Sequence, residues 1–348
     1  MATTVNEEVP TKAGGELSGT PRRGDTMKAI VQEKYGSPDV LALQEVDKPV
    51  VQDDQVLVRV HAAAVNPADV HFVTGLPYVL RLLFGLRKPK TRVRGIDVAG
   101  YVEAVGTNVK HVRPGDEVFG GCTGAFAEYV CAGKNNFVPK PANLTFEQAA
   151  AVPVAACTAL QTLRDVGHVQ PGQKVLINGA SGGVGTFAVQ LAKAFGADVT
   201  GVCSTRNMEM VRSIGADHVI DYSQEDFTQS GQRYDLILDH AANHSLSDLR
   251  RVLTPTGILI PNSDRASGRW IGPLGRMVRA RVLSLFVRQT LRTFLAKTTK
   301  EDLVVLKQLI EAGKVTPVID RTYPLKATPE ALGYVGEGHA RANVVITV

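Results

Sequence analysis

The residues that could do chemistry are concentrated in Lys174-Val-Leu-Ile-Asn178-Gly-Ala-Ser-Gly-Gly-Val-Gly185, where a short apolar strand runs straight into a glycine-dense turn. Glycine lets a backbone turn tightly and approach a bound group. A helix that begins at such a turn offers unpaired N–H groups and the positive end of its dipole, which is the chemistry of pyrophosphate capture. Thr186 to Phe195 reads as an amphipathic helix and Val199 to Cys203 as a second strand. Residues 174–203 thus make one strand–helix–strand unit of the ~30 residues a dinucleotide site uses. Ala180 stands where the strict pattern has glycine, giving Ala180-x-Gly182-x-x-Gly185, which is compatible while that position keeps a negative φ. Ala180, Ser181, Gly182, Gly183 and Val184 are the expected phosphate contacts.

The end of the second strand selects the cofactor. NAD sites carry Asp or Glu there to take the ribose hydroxyls. Here it reads Cys203-Ser204-Thr205-Arg206-Asn207, two hydroxyls and a guanidinium suited to a 2′-phosphate, while Asp198 lies at the strand's other end. NADPH is therefore the expected cofactor. Metal chemistry has no comparable signal. The cysteines at 122, 131, 157 and 203 form no Cys-x-x-Cys pair, so buried reduced thiols are the simple reading. His240 and His244 have ligand spacing but straddle a strand end and a loop, and no metal site is expected.

The elements that must position these groups fall into two patterns. From Met27 to about 148, short strands (Val56 to Val60, Val98 to Val105, Glu117 to Phe119, Ala127 to Val130) alternate with Gly and Pro turns, as in a partly open β-barrel. Thr145-x-x-Gln148 has the form of a capping box. From 174 the pattern is regular βα alternation, with a helix over Met208 to Ile214 and strands at His218 to Asp221, Leu236 to Asp239 and Ile258 to Pro261. Right-handed crossovers make that a parallel doubly wound α/β sheet. Helices are predicted over Met277 to Phe294 and Leu303 to Ala312, and a last strand, Asn343 to Val348, is expected to rejoin the N-terminal domain. Residues 1–26 lack periodicity and read as a disordered extension.

Composition bounds the function. With 44% hydrophobic and 21% charged residues among 348, the chain has the balance of a soluble globular protein of two domains. A net charge of +5 suits an anionic cofactor but gives no argument for nucleic acid as a partner. The residues after Met1 lack a secretory pattern, and no apolar run approaches the ~18 residues of a membrane span. The expected setting is cytoplasmic, without integral membrane association.

Several ordered motifs carry a family resemblance: Met27-Lys-Ala-Ile-Val, Asn66-Pro-Ala-Asp69, Gly115-Asp-Glu-Val-Phe-Gly120, Ala149-Ala-Ala-Val-Pro153 with Thr158-Ala-Leu, the Asn178–Gly185 loop, and Gly338-His-Ala-Arg-Ala-Asn343-Val-Val. Over about residues 27–348 the chain resembles the medium-chain dehydrogenase/reductase superfamily, in its zinc-free quinone oxidoreductase-like branch. The resemblance implies a Rossmann domain (149–293) beside a GroES-like β-barrel catalytic domain (27–148, completed by 294–348), with the active site in the cleft between them. A homodimer is the expected assembly. Zinc-dependent relatives have cysteine at the Asn66 position, Gly-His-Glu at Gly95-Ile96-Asp97 and a third ligand near Val154. Asp97 alone cannot supply the three donors that catalytic zinc needs.

The resemblance also places Asn66 at the cleft, where its amide would meet the substrate carbonyl or the cofactor ribose, with Asp69 as an Asx-type turn stabiliser. Thr158 would lie near the nicotinamide. Tyr222 would line the 2′-phosphate pocket, and His339, Ala340 and Arg341 would cover the cofactor. Tyr78 is the candidate general acid, with water as the alternative. Relatives usually have glycine where this chain has Ala242, after the fourth strand of the doubly wound sheet. The implied activity is reduction of a lipophilic quinone or α,β-unsaturated carbonyl by NADPH. The alternatives are a pathway-specific enone reductase acting on one natural product or lipid, and a non-catalytic NADPH-binding protein. Two stretches, Tyr78 to Arg94 and Met277 to Lys297, mix basic with apolar residues. They read as packing faces, the first also as a lid, with a membrane surface as the alternative.

Arg206→Glu is expected to weaken NADPH binding about tenfold or more, with NADH little affected, because a charge-assisted pair is replaced by repulsion. Fluorescence titration of the two cofactors measures this, and equal losses for both would sink the assignment.

Overall fold

The computed structural model describes residues 24–261, 270, 273–338 and 340–348. Most of the expected N-terminal extension, residues 1–23, lies outside the described residues, and the chain enters its first strand at Thr26. β1 (Thr26–Gln32) pairs antiparallel with β2 (Leu41–Asp47). β3 (Gln55–Val65) pairs along one edge with β4 (Asp97–Val105), which passes the sheet to β5 (Glu117–Gly121). β6 (Tyr129–Gly133) lies on the other edge of β3, and β7 (Phe137–Pro139) adds to β5. Four helices accompany this sheet: α1 (Pro67–Thr74), α2 (Arg81–Phe84), α3 (Phe146–Ala150) and α4 (Pro153–Gln161). The predicted capping box is present at α3, where Thr145 Oγ1 accepts from Gln148 N at 3.2 Å and Thr145 N donates to Gln148 Oε1 at 3.1 Å.

The second sheet follows as strand–helix repeats. Its elements are β8 (Lys174–Asn178), α5 (Gly183–Ala194), β9 (Asp198–Cys203), α6 (Met208–Ser213), β10 (His218–Asp221), β11 (Tyr234–Asp239), α7 (Leu246–Arg251), β12 (Leu253–Pro261), α8 (Pro273–Ser284) and β13 (Thr290–Leu291). The spatial order is β10-β9-β8-β11-β12-β13, all parallel, so the winding reverses between β8 and β11. Leu176, Ile177, Val199, Val202, Leu236 and Leu238 are buried, as expected for strands covered on both faces. This is the dinucleotide-binding arrangement, and ligands bind at such a reversal, beyond the carboxyl ends of the strands.

The chain then returns. After α9 (Lys300–Glu311), β14 (Ile319–Pro324) and α10 (Thr328–Gly336), β15 (Asn343–Thr347) pairs parallel with β14 and antiparallel with β3. One expectation is corrected. The helix predicted over Met277 to Phe294 stops at Ser284, because Leu285 and Phe286 N–H groups tighten onto the i−3 carbonyls of Val282 and Leu283. Ser284 Oγ then accepts from Leu291 N at 3.2 Å, and Thr290–Leu291 become the sixth strand against Ile258–Leu259. Strand pairing outweighs a helical pattern that is only weakly amphipathic.

The start of α5 sits so close to the loop before it that a Cβ on Gly185 would lie 2.1 Å from the Gly179 carbonyl oxygen. Gly185→Ala is therefore expected to lower unfolding free energy by about 1–3 kcal/mol through forced backbone displacement. Urea denaturation reads the change, and an unaltered midpoint would contradict this packing.

Candidate functional site

The crevice at the strand reversal opens on the glycine loop. Gly179 takes the left-handed turn at φ 93°, and Ala180 is not among the positive-φ residues, as its methyl requires. Ala180 is fully buried, and its neighbour on β9 is Gly201, where an added Cβ would sit 3.0 Å from the Ala180 Cβ. Alanine replaces the expected glycine because the facing strand has given up its own side chain. Gly182 caps α5 without any side-chain cap bond. The N–H groups of Gly183, Val184 and Gly185 therefore have no acceptor inside the helix. Such a terminus fits a pyrophosphate.

A strap from the C-terminal segment lies along this loop. Ala342 N donates to Ser181 O at 2.7 Å, and a Cβ on Gly183 would meet Asn343 Oδ1 at 2.9 Å. Ala340 and Arg341 belong to this strap, with Arg341 N held by Asp320 Oδ2 at 2.8 Å. His339 lies outside the described residues.

At the end of β9, Ser204 Oγ and Ser181 Oγ both accept from Asn207 Nδ2, at 3.2 and 3.0 Å. Thr205 donates its hydroxyl proton to Asp221 Oδ2, and Ser223 donates to Oδ1 of the same carboxylate through both N and Oγ. These bonds from Thr205 and Ser223 hold the Asp221 carboxyl below the usual range. The acid absent from the carboxyl end of β9 thus stands at the end of β10, where it anchors Thr205. Arg206 and Tyr222 are exposed beside it. The Arg206 charge also reaches Tyr334, whose hydroxyl donates to Asp320 at 2.7 Å and whose ring lies 4.2 Å under the Arg321 guanidinium. Burial, followed by the Asp320 bond, raises the Tyr334 phenol. Arg321 and Tyr334 were not legible from local sequence, since β14 and α10 lie more than a hundred residues beyond Arg206.

Asn66 follows β3 directly and caps α1, with Pro67 in the first turn, where a missing N–H costs nothing. Its backbone N–H donates to Asp69 Oδ2 at 2.8 Å, the local turn expected of Asp69. Its side-chain Nδ2 donates to Asp97 Oδ2 at 3.0 Å. Asp97, the first residue of β4, also accepts from Val154 N at 3.1 Å. Val154 follows Pro153 at the start of α4, so its N–H is the first free donor of that helix, and a carboxylate there meets the helix dipole. One turn on, Thr158 Oγ1 donates to Val154 O at 2.7 Å. Asn66, Asp97, Val154 and Thr158 therefore form one continuous chain of hydrogen bonds.

Both acids are fully buried. Burial pushes Asp97 well above the usual range, opposed by the Asn66 and Val154 bonds and aided by Asp69. Burial pushes Asp69 up to about 7, opposed by the Asn66 N–H and by the buried Arg94 guanidinium.

At the reversal itself, Asn178 Nδ2 donates to Asp239 Oδ1 and to Asn243 Oδ1, both at 2.7 Å, and Ala242 N donates to Asp239 at 3.1 Å. Arg276, from α8, pairs with the buried Asp239 carboxylate and donates to His244 O at 3.2 Å. This arginine was missed because it lies 37 residues beyond the Asp239 it pairs with and carries no local signal. Ala242 has φ 51°, the conformation that glycine takes without strain. Burial lowers the His240 ring to about 4, and among the described residues it belongs to no group of three His, Cys, Asp or Glu side chains. The Tyr78 ring meets Trp270 edge-on at 5.3 Å, and Val79 N donates to Trp270 O at 3.3 Å. The Arg81 guanidinium lies 4.8 Å over Tyr78.

Comparison with known proteins adds the family. Residues 52–142 match the alcohol dehydrogenase GroES-like domain, and residues 214–346 match the zinc-binding dehydrogenase family. The mitochondrial NAD(P)H oxidoreductase RTN4IP1 of Homo sapiens is 37% identical over 369 residues, covering 95% of this chain and 92% of the relative. The 2-methylene-furan-3-one reductase of Solanum lycopersicum is 32% identical, covering 96% of this chain and 82% of the relative. The quinone oxidoreductase structure from Coxiella burnetii aligns at TM-score 0.80 and 29% identity, over 93% of this chain and all of that one. The donor set does not fit zinc. Asn66 and Val154 give their N–H groups to Asp97, and among the described residues no three His, Cys, Asp or Glu side chains converge as a metal cluster.

Asp69 gives a pH signature. Its folded value lies above the ordinary carboxylate value, so the fold takes up a proton between about pH 4 and 7 and loses stability as pH rises through that window. Relative to the wild type, Asp69→Asn is expected to gain on the order of 1–3 kcal/mol between pH 5 and pH 8. Urea titrations at the two pH values test it, and parallel pH dependence in both proteins would refute the buried-acid account.

Proposed function

The chain belongs to the medium-chain dehydrogenase/reductase superfamily, in its quinone oxidoreductase-like branch, and is an oxidoreductase; on that premise we propose a zinc-independent, NADPH-dependent reductase of quinones or α,β-unsaturated carbonyls. The carrying observation is the hydrogen-bonded Asn66–Asp97–Val154 set, which stands beside the cofactor crevice at the positions where zinc-dependent relatives hold their metal. Bound NADPH supplies a hydride to an electrophilic carbon conjugated with a carbonyl. Conjugation spreads the charge that an isolated alkoxide would concentrate, so hydrogen bonds can stabilise it without a Lewis acid.

The residues divide that work. The N-terminal turn of α5, with Ala180, Ser181, Gly182, Gly183 and Val184, holds the pyrophosphate. Arg206, Ser204 and Tyr222 face the 2′-phosphate, with Thr205 fixed by Asp221 so that the turn keeps its shape. Ala340 and Arg341 close the strap over the cofactor, and Thr158 borders the nicotinamide. Asn66 aims its carboxamide at the acceptor oxygen, and Asp97 sets which way that carboxamide faces. Tyr78 is the proton donor nearest the mouth, with solvent as its substitute. A second reading, an enone reductase restricted to one natural acceptor, is favoured by Ala242, which holds φ 51° with a methyl where the family resemblance implies glycine.

Purified protein is expected to oxidise NADPH with quinones or enones at a rate EDTA leaves unchanged, and to oxidise simple alcohols little. Asn66→Ala should lower kcat about tenfold or more with little change in NADPH affinity, and Asp97→Asn should do the same without adding to it in the double variant. Alcohol oxidation that EDTA abolishes would remove the reaction class. Full enone turnover in Asn66→Ala would remove the residue.

A further inference from the structure

Charge in this chain is segregated. Residues 70–96 and 265–300 together carry fifteen of the thirty-nine Lys and Arg and none of the thirty-four Asp and Glu, so the rest of the chain is net acidic although the total is +5. The described parts of the two stretches meet through the Tyr78–Trp270 ring contact and the Val79–Trp270 backbone bond. Some of the cations are used inside the fold: Arg94 is buried, Arg276 holds Asp239, and Arg292 donates to Val166 O. Arg87, Lys88, Lys90, Arg279, Arg281 and Arg288 are exposed, and no ion pair to them is found among the described residues.

Large apolar side chains are exposed along the same two stretches. Leu82, Leu83, Leu86, Trp270, Val278 and Val282 are each between 51% and 74% exposed. The leucines lie on and just after α2, beside Arg87, Lys88 and Lys90. Val278 and Val282 lie one turn apart on α8, flanked by Arg279 and Arg281. Contiguous exposed apolar groups mark an interaction site. Apolar groups bordered by unpaired cations match the interface of an anionic bilayer, where the first enter the acyl boundary and the second meet headgroup phosphates. A nucleic acid would meet the same cations but leave three leucines in water.

We propose that this face docks the protein peripherally on anionic membrane, with the cleft mouth turned toward the lipid. A lipophilic acceptor could then enter without crossing water. That last clause rests on the proposed reductase activity, whereas the docking does not.

The full chain is to be mixed with phosphatidylcholine vesicles, with and without about 30% phosphatidylglycerol, at ~0.15 M salt and co-sedimented. Partition onto the anionic vesicles is expected to exceed that onto neutral ones about tenfold or more. Leu82→Ser/Leu83→Ser/Leu86→Ser should lower it at least about fivefold, and Arg279→Glu/Arg281→Glu/Arg288→Glu should abolish it. Both variants should keep wild-type turnover of a water-soluble acceptor. Equal partition onto both vesicles overturns the proposal. So does anionic binding that the serine variant retains in full, with heparin competing for it, which is the behaviour of a nucleic-acid surface. A serine variant that turns a dimer into a monomer, with no vesicle binding in the wild type, assigns the face to a second copy instead. Vesicle binding without turnover of any acceptor would remove the reductase reading and leave the docking intact.

Discussion

One buried carboxylate joins the two halves of this molecule. Asp97 begins β4 in the first sheet, takes the Asn66 amide at the end of β3, and takes the first free N–H of α4. α4 in turn packs on α5, the helix whose N-terminus forms the cofactor loop. The candidate catalytic residues and the glycine loop are thus referred to a single buried carboxyl group. A polar group buried this deeply is costly unless its hydrogen-bond partners remain in place, and removing one of them leaves an unpaired group in a low-dielectric interior. The arrangement tolerates little displacement of either half.

The strap is the second tie. β15 extends the first sheet on β3, while its leading residues bond to the glycine loop of the second. The crevice is therefore bounded on one side by hydrogen bonds through Asp97 and on the other by backbone pairing through Ala342. Between them, Asn178, Asp239 and Arg276 fix the carboxyl ends of β8 and β11. Each boundary is built from groups contributed by distant parts of the chain.

That distance explains what the sequence could and could not reveal. The glycine loop, the α3 capping box and the β-rich and βα-alternating regions were legible because each is a local pattern with its own physical cause. The hydroxyl and guanidinium run after β9 was legible, but the acid that anchors it, Asp221, belongs to the next strand. Arg276, Arg321 and Tyr334 carried no local signal, since only the folding of α8, β14 and α10 brings them to the crevice. The predicted helix over Met277 to Phe294 failed at Thr290 and Leu291, where an open sheet edge offered a better set of hydrogen bonds than another helical turn. Ala242 looked like a simple substitution, and only its φ shows why glycine is the easier residue there.

The return of β15 to β3 makes the folding order nested. The second sheet, from β8 to β13, is contiguous in sequence and can close on contacts of short range. The first sheet cannot: the β15 neighbour of β3 lies beyond that whole domain in sequence. High contact order of this kind is slow, because loop closure must be met before the strand pairing repays it. Until then part of one edge of β3, with its run Ala62 to Val65, stands open to pairing with other chains. The hazard of this topology during biogenesis is therefore an open β-edge rather than an exposed core.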